Sequence, residues 1–134
     1  MSKKILVVED EDSIRNVLQV RLANCGFNVV TARDGEEGLA VARAEKPDLI
    51  ILDLGLPKLP GEEVCRQLRN DENNVPIVML TAKAEDVDRV VGKVLGANYY
   101  MTKPFEWTEL LKKIYKYLDM EEEPESGEDP SPEA

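Results

Sequence analysis

The chain has 134 residues, 43% apolar and 33% charged, with net charge −10, two cysteines and no histidine. That length suits one domain, and that apolar fraction fills a core, which excludes a globally disordered chain. Without histidine the chain alone builds no His-based metal site, Ser-His-Asp triad or phosphohistidine relay, and Cys25 and Cys65 make no disulfide framework, only two small packing residues.

Residues 3–8 are β-branched and apolar without alternation, which predicts a strand buried on both faces. Ile14, Val17, Leu18, Arg21, Leu22 and Cys25 recur at helical spacing, with Asp12 or Ser13 as N-cap and Gly26 as the stop. Residues 27–32 read as a second strand. Asp34-Gly35 opens a second helix to about residue 45, ended by Lys46-Pro47 because proline disfavours helical geometry in the residue before it. Residues 49–52 are a third apolar strand, closing on Asp53. Residues 62–70 predict a helix with Val64, Cys65 and Leu68 inward. Residues 75–80 predict a fourth strand with Pro76 near its start, where proline is tolerated. Val87, Val90, Val91, Val94 and Leu95 mark a fourth helix stopped by Gly96, and residues 98–101 a short fifth strand. Pro104 precedes a fifth helix with Trp107, Leu110, Leu111, Ile114 and Leu118 on one face.

Five strands alternating with five helices predict an α/β fold, a parallel sheet covered on both faces through right-handed crossovers. The expected domain is residues 1–119. From Asp119 onward there are eight acids and no bases, so residues 120–134 are expected to be a disordered acidic tail that repels a nucleic-acid backbone. The apolar runs at 5–8 and 49–52 are four residues each. They neither span a membrane nor serve as a signal peptide, and a cytoplasmic location is expected.

In such folds ligands bind beyond the carboxyl ends of the strands, which directs attention to Glu9, Asp10, Asp53, Thr81, Ala82 and Lys103. Glu9-Asp10 alone can be a solvated loop, but Asp53 ends a strand of four apolar residues. Like charges at about 4 Å repel by roughly 4 kcal/mol per pair at an effective dielectric near 20. A hard divalent cation resolves that crowding, since Mg²⁺ takes oxygen ligands, keeps waters and sits beside phosphate. Three carboxylates, Mg²⁺ and Lys103 together are neutral, a site ready for an arriving phosphoryl group.

The segments Ile5-Leu-Val-Val-Glu-Asp-Glu11, Leu49-Ile-Ile-Leu-Asp-Leu-Gly-Leu-Pro57, Ile77-Val-Met-Leu-Thr-Ala82 and Gly96-Ala-Asn-Tyr-Tyr-Met-Thr-Lys-Pro-Phe105 resemble a bacterial response-regulator receiver domain of a two-component system. The stretch from Glu85 is most similar to receivers of winged-helix transcription factors. The resemblance implies a doubly wound, flavodoxin-like sheet of order 2-1-3-4-5. It implies Asp53 as phosphoacceptor, phosphorylated from a sensor histidine kinase. It also implies Mg²⁺ (or Mn²⁺) held by Asp10, Asp53 and the Gly55 carbonyl, with Glu9 acting through water. Lys103 would neutralise a phosphoryl oxygen, with a cis bond to Pro104. Thr81 would donate to the phosphoryl group, small Ala82 would leave room, and Tyr100 would be the switch aromatic. Such a protein is no enzyme in the ordinary sense; it assists its own phosphorylation and dephosphorylation.

The subfamily's dimer face uses complementary charges, for which Arg89, Glu109 and Lys113 fit, but its acidic pair is Asn98-Tyr99 here. Lys113 is therefore expected to lack its partner, and the chain to be a monomer or weak dimer. Tyr99 and Trp107 are then offered to an output protein, unless a C-terminal output domain is missing. A flavin protein of the same fold is disfavoured because Glu9-Asp10-Glu11-Asp12 repels the flavin phosphate. A dehalogenase-type phosphohydrolase needs an Asp where Gly55 stands. A degenerate receiver that only docks proteins is the alternative, disfavoured because every site residue is present.

Overall fold

The computed structural model describes residues 2–82 and 96–120. Its elements are β1 (Lys4–Val8), α1 (Asp12–Asn24), β2 (Asn28–Ala32), α2 (Gly35–Glu45), β3 (Leu49–Asp53), α3 (Gly61–Asn70), β4 (Ile77–Thr81), β5 (Tyr99–Thr102) and α4 (Trp107–Tyr117). The expected helix at 87–95 and the acidic tail from 121 lie outside the described residues. The strands form one parallel sheet in the order β2-β1-β3-β4-β5, the doubly wound topology expected above.

Strict alternation explains why the strands read as unbroken apolar runs. Ile5, Val7, Leu49, Ile51, Val78 and Leu80 point to one face, against Leu18 and Leu22 of α1 and Leu110 and Ile114 of α4. Leu6, Val8, Ile50, Leu52, Ile77 and Met79 point to the other, against Leu39 and Ala42 of α2 and Val64, Cys65 and Leu68 of α3. Each fully buried Leu or Ile contributes about 1.5–3 kcal/mol relative to exposure, so the three central strands carry most of the core. Their register sets Val8 opposite Leu52, Asp53 opposite Leu80, and Thr81 opposite Thr102. The carboxyl ends of β1, β3 and β4 thus finish at one edge, where the connection reverses direction across the sheet.

Several local expectations are corrected. The N-cap of α1 is Glu11, not Asp12 or Ser13, and it makes no side-chain cap bond; the Asp12 carboxylate is committed to Arg15. Val17 is 53% exposed and Cys25 is exposed at the helix end, because Leu18 and Leu22 hold the buried stripe. Cys25 is therefore not a packing residue, whereas Cys65 is. β4 starts at Ile77 rather than 75: Pro76 has no N–H to give, although its carbonyl accepts from Ile50 N at 2.9 Å. Asp34 caps α2 by accepting from Glu37 N at 2.8 Å, and Lys46 ends the helix in the left-handed region at φ 51°. Among the described residues no helix is long and apolar enough to cross a membrane.

Candidate functional site

Three acids meet where β1 and β3 end. Asp53 is the last residue of β3 and Glu9 directly follows β1, and the pairing of Val8 with Leu52 sets them at neighbouring strand ends. Glu9 is 0% and Asp53 5% exposed, while Asp10, one residue on, is exposed. One carboxylate oxygen from each lies within 4.8 Å of the others. From the end of β5, Lys103 enters the same space, its backbone N–H donating to Thr81 O at 2.7 Å and its peptide to Pro104 cis. Lys103 Nζ is 3.0 Å from Glu9 Oε1 and 3.3 Å from Asp53 Oδ2. Thr81, 3% exposed, closes β4 beside Asp53, and Ala82 follows it at the surface.

The loop after Asp53 is fixed by close backbone approaches. Gly55 N–H donates to Asp53 Oδ1 at 3.4 Å. A Cβ on Gly61 would lie 2.4 Å from the Asp53 carbonyl oxygen, and one on Gly35 1.8 Å from the Leu59 carbonyl oxygen. Only glycine lets the starts of α3 and α2 press on the site loop in this way. Gly55 itself has open space around it.

One lysine does not neutralise three acids. Burial, and then the charge of Asp53, push the Glu9 carboxyl above its ordinary range, against the Glu11 N–H and Lys103. Burial likewise raises Asp53, with Asp10 adding to the rise and Lys103 and the Gly55 N–H opposing it. Burial alone would lower Lys103, but its hydrogen bond to Glu9 and the charge of Asp53 outweigh that and hold it above the usual lysine value. The site is short of positive charge.

The residues present fit a divalent cation. Glu9 Oε1 is buried and has no hydrogen-bond donor among the described residues; its contact with Lys103 is ionic and off the hydrogen-bonding direction. An octahedron with bonds of about 2.1 Å spaces its oxygens by about 3–4.2 Å, so the three carboxylates close on an Mg²⁺-sized ion with small shifts. Among the described residues, Glu9, Asp10 and Asp53 are the carboxylates gathered to face such an ion.

Tyr100 packs half-buried against the cluster that includes Cys65 and Met79, and burial raises its phenol. Within the chain, Lys113 Nζ lies 4.4 Å from the Tyr99 ring centroid, while the Tyr99 hydroxyl donates to Glu109 at 3.0 Å. Trp107 stacks under the Arg21 guanidinium at 5.2 Å. Both aromatics are partly buried and each carries a cation contact within the chain. Sequence reasoning missed Arg15, whose Nη1 donates to the Glu9 carbonyl at 2.9 Å; its only sequence signal is the i,i+3 spacing from Asp12.

Comparison with known proteins agrees with this geometry. The response regulator receiver domain family matches residues 5–115. The alkaline phosphatase synthesis transcriptional regulatory protein PhoP of Bacillus subtilis is 55% identical over 118 residues, 88% of this chain and 49% of that protein. A probable transcriptional regulator, ycf27, of Cyanophora paradoxa is 49% identical over 91% of this chain and 51% of its own length. The chain thus spans about half the length of these curated relatives. Among solved structures, the receiver domain of a Pseudomonas aeruginosa sensor histidine kinase, with a magnesium ion coordinated in its active-site cleft, superposes with a TM-score of 0.81 at 33% identity, covering 89% of this chain and 99% of that one. The Thermotoga maritima response regulator TrrA, in complex with Mg²⁺ and beryllofluoride, gives a TM-score of 0.78 at 35% identity, covering 86% of this chain and 98% of that one. With acids, lysine and threonine gathered at the ends of a 2-1-3-4-5 sheet, this chain belongs to the response-regulator receiver domain family.

Proposed function

We propose that the chain is a phosphoacceptor switch in which Asp53 takes a phosphoryl group from the phosphohistidine of a sensor histidine kinase. The observation that carries this reading is the buried Asp53 carboxylate held between Lys103 Nζ at 3.3 Å and the Gly55 N–H at 3.4 Å. An Asp53 carboxylate oxygen attacks phosphorus in line. The new O–P bond forms as the P–N bond breaks, and the bonding pair leaves with the imidazole nitrogen. Such a transfer needs positioning and charge neutralisation more than further protein chemistry.

Asp10, Asp53 and the Gly55 carbonyl would hold Mg²⁺ (or Mn²⁺), with Glu9 acting through water. When bound, that ion supplies the positive charge that Lys103 alone does not. Lys103 pairs with a phosphoryl oxygen, the Thr81 hydroxyl donates to another, and Ala82 keeps the approach open. As Thr81 moves toward the phosphoryl group, Tyr100 turns into the space it leaves. The same groups assist hydrolysis of the aspartyl phosphate, so the chain limits its own active lifetime without turning over a separate substrate.

In this reading residues 1–119 are the receiver and 120–134 an acidic tail. The chain works in the cytoplasm, a monomer or weak dimer without direct contact to nucleic acid. Its output passes to a protein partner or to a C-terminal output domain; the names of the curated relatives support a transcriptional output. Incubation with acetyl phosphate, followed by intact mass, tests it. One phosphoryl mass is expected with Mg²⁺ and none in EDTA or in Asp53→Asn. An unchanged mass in all samples would leave only a docking module.

A further inference from the structure

Arg15 lies on α1, a surface helix, yet its side chain is only 11% exposed. Its Nη1 donates to the backbone carbonyl of Glu9 at 2.9 Å and its Nη2 pairs with the Asp12 carboxylate. The Glu9 carbonyl belongs to the peptide that joins Glu9 to Asp10. Around it the same loop is tied by Glu9 N–H to Ala32 O at 3.1 Å and by Glu11 N–H to Glu9 Oε2 at 3.1 Å. The guanidinium therefore fastens the peptide between two site acids to the first turn of the helix that follows. The phosphoryl-transfer mechanism gives this half-hidden cation no task.

We propose that Arg15 is a positioning residue for the divalent cation: by holding the Glu9–Asp10 peptide, it keeps the Asp10 carboxylate turned toward Asp53. This rests on the reading of Glu9, Asp10 and Asp53 as a cation site. Only a planar fork serves a carbonyl and a carboxylate at once with fixed geometry; a lysine ammonium supplies charge without that fork. Residues that orient metal ligands without touching the metal typically change affinity by about 10- to 100-fold when lost.

The sign of the effect separates positioning from electrostatics. A fixed positive charge near the acids opposes an arriving cation by Coulomb's law. If charge were all that Arg15 contributed, removing it would tighten Mg²⁺ binding. If it positions Asp10, removing it weakens binding despite the favourable change in charge. A merely structural role would lower the melting temperature and leave the affinity alone.

The test is an Mg²⁺ titration of the full chain followed by the NMR shifts of the Asp10 and Asp53 amides, well below the melting temperature of each variant. Wild type, Arg15→Met and Arg15→Lys are compared, with Asp53→Asn as the control that lacks one ligand. The expected result is saturable binding in wild type, about tenfold weaker in Arg15→Met, with Arg15→Lys failing to restore it. Equal or tighter binding in Arg15→Met, beside saturable wild-type binding, would overturn this inference and leave the cation site standing. Should Arg15→Met not fold, Arg15→Lys decides alone, and wild-type affinity there would overturn the proposal. No saturable shift in wild type would overturn the cation site and this inference together.

Discussion

Replacing Lys103 by methionine in metal-free protein isolates the electrostatics of the site. The ammonium is within 3.3 Å of both Glu9 and Asp53, and its removal leaves two buried carboxylates with oxygens no more than 4.8 Å apart. At an effective dielectric near 20 they then repel by about 3.5 kcal/mol. The fold escapes by letting one of them take up a proton. From an ordinary pKa near 4.3 that costs about 3.7 kcal/mol at pH 7 and only about 1 kcal/mol at pH 5. Proton uptake therefore caps the penalty, and release of the lysine from its partly buried site offsets some of it. We expect Lys103→Met to lose about 2–4 kcal/mol at pH 7 and no more than about 1 kcal/mol at pH 5. Urea titrations in EDTA, read from Trp107 fluorescence, measure both. Equal losses at the two pH values, or a gain at pH 7, would mean that Lys103 acts through packing and that the charge argument is wrong.

Asp53→Asn should have the opposite sign, raising the melting temperature of the metal-free protein by several degrees in calorimetry, roughly the effect of 1 kcal/mol in a domain this size. Because Glu9 and Asp53 are both raised in the fold, their contribution is present in full below the unfolded carboxylate range and lost as pH rises through their folded values. Metal-free wild type should accordingly gain stability from pH 7 down to about pH 5, and a fall in the urea midpoint over that window would contradict it. Gly61→Ala, whose Cβ would meet the Asp53 carbonyl oxygen at 2.4 Å, should cost more than about 2 kcal/mol, against less than about 0.5 kcal/mol for Gly55→Ala in open space, by the same urea assay. Sedimentation at tens of micromolar should give a monomer, and at most a weak dimer with beryllofluoride; a tight, salt-insensitive dimer would refute that.

What the sequence disclosed, and what it hid, follows from the range of the interactions. Asp53 was legible because an acid closing a four-residue apolar strand has nowhere to go but the sheet edge. Lys103 was legible because a site of three acids needs a cation. The outward turn of Val17 was hidden, since helical spacing allows both an Ile14–Val17 stripe and the Leu18–Leu22 stripe, and only the sheet chooses between them. The start of β4 was hidden because, besides Pro76, the backbone groups of Val75 are already taken, its N–H by the Asn73 side chain at 3.0 Å and its carbonyl by Arg69 Nη1 at 2.8 Å. The contact of Lys113 with the Tyr99 ring was hidden because it depends on how α4 packs beside β5 and leaves no pattern of paired charges. Arg15 was hidden because its main acceptor is a backbone carbonyl, which carries no sequence signature.

The account's central claim is an acyl phosphate on one residue, and borohydride trapping reads that bond directly. After incubation with Mg²⁺ and acetyl phosphate, reduction and peptide mass spectrometry should find homoserine at position 53 and nowhere else. Homoserine at position 10, or at no position, would contradict it.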